Sequence, residues 1–248
     1  MSTLGSWPSL ADPPQLGHGE IHVWRVHVPD EANVPLEWHT LLTPQETERL
    51  QRKRIPIDAR RTLASRACLR ILLGGYLNIE PKDLKITTTK EGKPILDAKG
   101  QYAQIEFNVS HSGEWILFGF CHERPLGIDI EYCREIEFHS IVSGLFAPAE
   151  QVSWNELNPA QHSTAFFSAW TRKEAYVKAT GLGLMKPLNS FAVSIGDASE
   201  PELLWCMENF NSCKKWSIID LDPAPGYFGA LAIESTHKEV QTYDFQYR

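Results

Sequence analysis

No apolar run in these 248 residues approaches the ~20 that a membrane-spanning helix needs, so no membrane association is expected. Cysteine is scarce: Cys68, Cys121, Cys133, Cys206 and Cys213 make an odd set with no C-x-x-C pair. That argues against a disulfide framework or a zinc site and fits a reducing cytoplasm. Surplus positive charge is missing as well. The formal net charge is −7, which makes a poor general binder of nucleic acid. The first residues show no basic stretch followed by an apolar one, so a secretory signal is not expected. Residues 1–19 carry Pro8, Pro13, Pro14 and three glycines and read as a loose lead-in segment.

What is present is a repeated order of elements. Ile21-His22-Val23-Trp24 alternates like a strand, and so does Ile128-Asp129-Ile130-Glu131. Each is followed by an L-x-x-P-x-x-E-like opening, at Leu41 to Glu46 and at Leu145 to Glu150. Proline in a first turn with glutamate behind it starts helices. A long helix is expected over Ala59 to Leu73, ending at Gly74-Gly75, and a second over Ser163 to Thr180, ending at Gly181, since glycine tolerates the left-handed terminating conformation. Hairpins follow at Ile105 to Ser110 with Trp115 to Cys121, and at Trp216 to Leu221 with Tyr227 to Ile233. The expected fold is α+β: a subdomain over residues 20–124 and a similar one over 125–248, related by a pseudo-twofold axis with a cleft at their seam.

Four segments carry chemistry. In Gly127-Ile128-Asp129-Ile130-Glu131, strand alternation puts Asp129 and Glu131 on one face. Two carboxylates there repel unless a cation lies between them, and a hard divalent ion is the usual solution; a solvated edge strand is the plainer alternative. In Trp170 to Lys178, residues Phe166, Trp170, Glu174 and Lys178 share a stripe at i+4 spacing. Its apolar start and charged end suit a helix whose last turns reach the rim of a cleft; an exposed i,i+4 Glu-Lys pair is the plainer alternative. Phe107-Asn108-Val109-Ser110-His111-Ser112 gathers small polar groups and an imidazole at a strand end, where a phosphate or merely local backbone could hold them. Arg49, Arg52, Lys53, Arg54, Arg60, Arg61, Arg66 and Arg70 form a basic cluster on an acidic chain, matched to an anionic ligand or to solvent. Lys90-Glu91-Gly92-Lys93-Pro94 adds a turn with two lysines.

Taken in order, G-K-P at Gly92 to Pro94, F-N-V-S-H-S at Phe107 to Ser112, G-I-D-I-E at Gly127 to Glu131, W-T-x-K-E-A-x-x-K at Trp170 to Lys178 and G-L-G-L at Gly181 to Leu184 resemble the broad-specificity, surfactin-synthetase-activating type of 4'-phosphopantetheinyl transferase. The resemblance runs from about Ile21 to Ile233. It implies two similar α+β halves, and transfer of the phosphopantetheine arm of coenzyme A to a serine of an apo acyl or peptidyl carrier protein. It implies Mg2+, with Mn2+ as the alternative, held by Asp129, Glu131 and Glu174. Lys90, Gly92, Lys93, Pro94 and Arg61 would hold the adenosine end and its phosphates. Asn108, Ser110 and His111 would lie at the nucleotide, with His111 near the 3'-phosphate, and Lys173 and Lys178 would line the pyrophosphate. Glu174 and Lys178 are the expected catalytic pair.

The chain departs from that family at Glu46, where some relatives carry lysine, and at Lys53-Arg54, where an aromatic is usual; Arg49 and Arg52 are the expected substitutes. The first-half strand presents His22 and Trp24 where the second presents acids, so one active site per chain is expected, in a monomer. The alternatives are another magnesium-dependent phosphate-ester hydrolase, or a non-catalytic binder of coenzyme A or a carrier protein.

Overall fold

The computed structural model describes residues 7–89, 92–97, 104–196, 200–207, 213–236 and 239–247. In chain order the strands and α-helices are β1 (Ser9–Leu10), β2 (Ile21–His27), α1 (Pro44–Gln51), α2 (Pro56–Leu77), β3 (Ile86–Thr88), β4 (Pro94–Leu96), β5 (Ile105–Ser112), β6 (Trp115–His122), β7 (Leu126–Tyr132), α3 (Phe138–Leu145), α4 (Pro148–Asn155), α5 (His162–Thr180), β8 (Phe191–Val193), β9 (Leu203–Cys206), β10 (Trp216–Leu221), β11 (Tyr227–Glu234) and β12 (Val240–Phe245).

The halves repeat. In the first, β2 pairs antiparallel with β6 and β6 with β5; in the second, β7 pairs antiparallel with β11 and β11 with β10. The fold is α+β, as expected. Strand alternation then builds four layers. On β6, Ile116, Phe118 and Phe120 pack with Leu63, Ala67, Leu69 and Leu73 of α2, while Leu117 and Cys121 face the other sheet. On β7, Leu126, Ile128 and Ile130 meet that same layer. Ala230 and Ala232 of β11 turn the other way, against Phe166, Ala169 and Val177 of α5. The order is helix, sheet, sheet, helix, with apolar cores in all three gaps.

Three features differ from the sequence reading. Gly74 and Gly75 do not end the first helix; α2 runs through them to Leu77, and Asn78 takes the left-handed turn at φ 52°. Their bareness serves packing. A Cβ on Gly74 would lie 2.7 Å from Ile79 O, and one on Gly75 would run into Pro13. The second helix does end at Gly181, at φ 70°. Next, β12 leaves the second half and lies parallel to β2, extending the first sheet to β1-β12-β2-β6-β5. Residues 9 and 10 of the lead-in segment pair with β12, and Leu16 is buried in the first core.

Finally, ladder partners fix the correspondence between β2 and β7. Ile21 pairs with Cys121 as Leu126 pairs with Ile233, so Asp129 corresponds to Trp24 and Glu131 to Val26. His22 and Trp24 are fully buried, and their ring nitrogens lie 2.8 and 2.7 Å from Tyr76 Oη.

Each half also repeats an ionic staple. Glu46 closes the capping box of α1 and receives Arg70 Nη2 of α2 at 3.0 Å, with Arg66 Nε at 3.6 Å. Glu150 accepts from Ala147 N at the start of α4 and receives Lys173 Nζ of α5 at 2.6 Å. A short helix is thereby tied to the long helix after it in both halves. Among the described residues no helix is long and apolar enough to cross a membrane.

Candidate active site

Alternation on β7 decides where the acids go. Leu126, Ile128 and Ile130 face the first sheet, so Gly127, Asp129 and Glu131 face α5. Gly127 lets the helix come close, since a Cβ there would lie 3.0 Å from Ala179 Cα and collide with Ala175 O. One turn apart on α5, Glu174 and Lys178 come down over the strand. Lys178 Nζ donates to Asp129 Oδ1 at 2.6 Å and to Ser110 Oγ at 2.8 Å.

The other wall is β5. Phe107 and Val109 pack toward the first core, so Asn108, Ser110 and Ser112 turn to β7. Ser110 Oγ donates to Asp129 Oδ1 at 2.8 Å, and Ser112 Oγ donates to Glu131 Oε2 at 3.0 Å while accepting from Tyr132 N. His111 points the opposite way and reaches solvent. Partial desolvation on its protein side, then the charge of Arg61, with Lys178 and Lys53 beyond, hold its imidazole below the usual histidine range. Arg61 is fixed by Asp58 and by Gly113 O at 3.0 Å. The seam therefore carries a cationic lip of Arg61 and Lys53, with the His111 imidazole beside them, next to an acidic floor of Asp129, Glu131 and Glu174.

The floor is electrostatically strained. Burial first, then Asp129, push the Glu131 carboxyl above the usual range. Burial, then Asp129, and also Glu131, do the same to Glu174. Asp129 Oδ2 is buried with no hydrogen-bond partner among the described residues. No three His, Cys, Asp or Glu side chains among those residues converge as a ready coordination cage; an ammonium sits on Asp129 instead. Yet the donor set suits a hard divalent cation: all-oxygen, anionic, mutually repelling and with one carboxylate oxygen unsatisfied.

Several expected ligand contacts are corrected. Lys173 is fully buried, bonded to both Glu150 oxygens at 2.7 and 2.6 Å and to Phe191 O at 3.0 Å, with the Phe191 ring 4.3 Å away. It cannot line a pyrophosphate. Asn108 is buried too, and its Oδ1 accepts from Ile128 N at 3.0 Å, so it staples the two sheets. The Ser110 hydroxyl is committed to the Asp129–Lys178 bridge. Arg66 and Arg70 serve Glu46, and Arg52 pairs with Glu48 on the surface.

Gly92, at φ 88°, and Lys93 sit in the turn leading into β4, and Pro94 begins that strand. Lys93 Nζ lies 3.9 Å from Glu106 Oε2 near the start of β5, at the opposite end of that strand from His111. Lys90 lies outside the described residues. Sequence reasoning placed Ser112 and Gly127 in its motifs but gave neither a role of its own. The S-x-S spacing opposite D-x-E was the available signal for the first, and the glycine opening the acidic strand for the second.

Comparison with known proteins bears on this geometry. Residues 125–231 match the family described as the 4'-phosphopantetheinyl transferase superfamily, and residues 30–121 match one described as 4'-phosphopantetheinyl transferase, N-terminal. The chain is 33% identical over 227 residues to the 4'-phosphopantetheinyl transferase HetI of Nostoc sp., covering 90% of this chain and 92% of that one. It is 29% identical over 156 residues to 4'-phosphopantetheinyl transferase Sfp of Bacillus subtilis, covering 63% and 67%. A holo-[acyl-carrier-protein] synthase of Thermotoga maritima overlays 46% of this chain and 64% of its own at 16% identity, with a TM-score of 0.37.

Proposed function

Because the chain belongs to the 4'-phosphopantetheinyl transferase superfamily, we propose that its two halves divide one transfer reaction across their seam. The enzyme moves the 4'-phosphopantetheine arm of coenzyme A onto a carrier protein. The serine hydroxyl attacks the phosphate bearing the arm, a new P–O bond forms, and the bond to adenosine 3',5'-bisphosphate breaks.

The second half supplies the chemistry. Asp129, Glu131 and Glu174 would hold Mg2+, or Mn2+ in its place. When bound, such an ion neutralises charge on the phosphates of coenzyme A. Glu174, whose carboxyl is held above its usual range, takes the serine proton at its carboxylate. Lys178 offers its ammonium to the pyrophosphate as negative charge grows on the leaving oxygen. The first half binds and orients: Arg61 and His111 meet the 3'-phosphate, and the Gly92 to Pro94 turn takes the adenosine end. The order of motifs from Gly92 to Leu184 supports a broad-specificity type serving acyl and peptidyl carriers. A chain carrying both halves needs no second copy, and its place of work is the cytoplasm.

The observation that carries the metal reading is the unpartnered buried Oδ2 of Asp129 beside two carboxyls whose ionisation the site disfavours. The test is incubation with coenzyme A, Mg2+ and a panel of apo carrier proteins, followed by intact-protein mass spectrometry. A gain of one phosphopantetheine on a carrier serine is expected. Coenzyme A cleavage with no gain on any carrier would instead favour a hydrolase.

A further inference from the structure

A second cluster lies away from the seam, in the core beneath α5. Cys206 ends β9 and Cys213 precedes β10. Their sulfurs are 2.9 Å apart, closer than two unbonded sulfurs normally rest, and both residues are buried at 5% and 4% exposure. A cavity of about 290 Å3, lined by Leu203, Leu204, Cys213, Lys214 and Trp216 among others, opens beside them. Both are thiols here.

We propose that Cys206 and Cys213 form a reversible intrachain disulfide on exposure to a small peroxide, fastening β9 to the start of β10. Cys213 lines the cavity, so peroxide meets it first. Its sulfur attacks one peroxide oxygen, the O–O bond breaks, and water leaves with a sulfenic acid on Cys213. The Cys206 thiol then displaces that hydroxyl. An S–S bond forms and a second water leaves. In sum, two thiols are oxidised by two electrons and one peroxide is reduced to two waters. A dithiol reductant reverses the step.

The pair occupies a useful place. Cys206 is the ladder partner of Phe191, and Phe191 packs on Tyr176 and over Lys173 of α5. A bond there fixes the strands that support the helix carrying Glu174 and Lys178. Burial, and the Cys206 thiol beside it, push the Cys213 thiol up to about 12. Oxidation is therefore slow near neutrality and speeds up about tenfold per pH unit while the thiolate remains a minor species.

The experiment treats the folded full chain with hydrogen peroxide and reads intact mass, a peptide map and melting temperature. The expected results are a loss of about 2 Da, a 206–213 linked peptide reversed by dithiothreitol, and a melting temperature higher by about 5 °C from closing the loop. In Cys206→Ser, dimedone should trap a sulfenic acid on Cys213, with no link and no rise in melting. If that variant does not fold, the pH series on the native chain stands in for it, and a rate that stays flat with pH would count against thiolate attack. The proposal is overturned if a peroxide dose that oxidises the more exposed Cys133 leaves 206 and 213 unlinked, or if the link forms only in urea. A link that leaves melting unchanged overturns the fastening role.

Discussion

Lys178 Nζ sits 2.6 Å from Asp129 Oδ1, while Oδ2 of the same carboxylate is buried and unpartnered among the described residues. The aspartate thus has one oxygen paired with an ammonium of its own protein and one with no hydrogen-bond partner, the oxygen the proposed function gives to a metal ion. Asp129→Ala removes both functions. Transfer should fall by about 10²-fold or more, the scale of losing one preorganised electrostatic group, with circular dichroism unchanged. Activity within a few-fold of the native rate would reject the metal assignment.

The crowding of Asp129, Glu131 and Glu174 predicts a pH-dependent effect of metal on stability. Folded Glu131 and Glu174 carboxyls lie above the unfolded value, so the folded state holds more protons than the unfolded one between those two values. Their contribution is favourable below the unfolded pKa and is lost as pH rises through the folded pKa. The metal-free chain carries more of this repulsion as pH rises. Mg2+ should therefore raise the melting temperature at pH 7 and much less at pH 4.5. Glu174→Gln should raise the metal-free melting temperature increasingly as pH climbs, and should blunt the response to Mg2+. Differential scanning fluorimetry across pH, with and without Mg2+, reads both. A Mg2+ response that is equal at the two pH values counts against the site.

Lys173 separates what sequence showed from what it concealed. The motif around it lies on the helix that packs over the acidic strand, and the positions of Glu174 and Lys178 there follow directly from strand and helix periodicity. The ends of the second helix and both hairpins were legible for the same reason, since those patterns are local. Lys173 was not, because whether a lysine faces a cleft or a core depends on a partner 23 residues away, Glu150. The Glu46–Arg70 staple was hidden in the same way. Gly74-Gly75 looked like a helix end because the sequence does not reveal that Ile79 and Pro13 crowd them. The parallel pairing of β12 with β2 joins strands at opposite ends of the chain, beyond the reach of any local pattern.

Removing Lys173 tests that correction. Lys173→Ala leaves Glu150 buried and unpaired, which costs about 3–5 kcal/mol. The folded fraction should keep its KM for coenzyme A within a few-fold. Urea unfolding and steady-state kinetics give the two numbers. A large rise in KM with unchanged stability would return Lys173 to the binding surface.

Arg61 and the neighbouring His111 lie at the lip of the seam, where the proposed function has them meet the 3'-phosphate. Arg61→Ala should then weaken coenzyme A binding by about ten-fold, a charge-assisted bond's worth, and weaken dephospho-coenzyme A much less. A phosphate beside His111 raises its pKa in the complex from the lowered value of the free enzyme. Binding takes up a proton, and affinity should rise as pH falls through the bound-state value, levelling off below the free-state one. Calorimetry in buffers of different ionisation enthalpy reads the proton. Equal losses for both ligands, or no proton uptake with coenzyme A, would remove these residues from the 3'-phosphate.

Gly127 sets how closely the acidic strand approaches the helix that carries Glu174 and Lys178. A methyl group at 127 would collide with Ala175 O and lie 3.0 Å from Ala179 Cα. These are backbone atoms of a helix already fastened by Arg172 to Asp220 at 2.8 Å and by Lys173 to Glu150, so they cannot swing aside like a side chain. The helix must lift from β7 as a unit, and the carboxyl of Glu174 and the ammonium of Lys178 rise with it. Gly127→Ala should cost about 1–3 kcal/mol from overpacking. It should also lower kcat by an order of magnitude or more, since small misplacements of reacting groups are expensive. Selectivity for coenzyme A over dephospho-coenzyme A should persist, because the first-half lip is untouched. The control is Gly144→Ala, at a position where a Cβ meets nothing within 4 Å, which should leave kcat unchanged. A Gly127→Ala enzyme with native kcat would mean that the spacing between β7 and α5 does not govern the chemistry, and the division of labour across the seam would have to be redrawn.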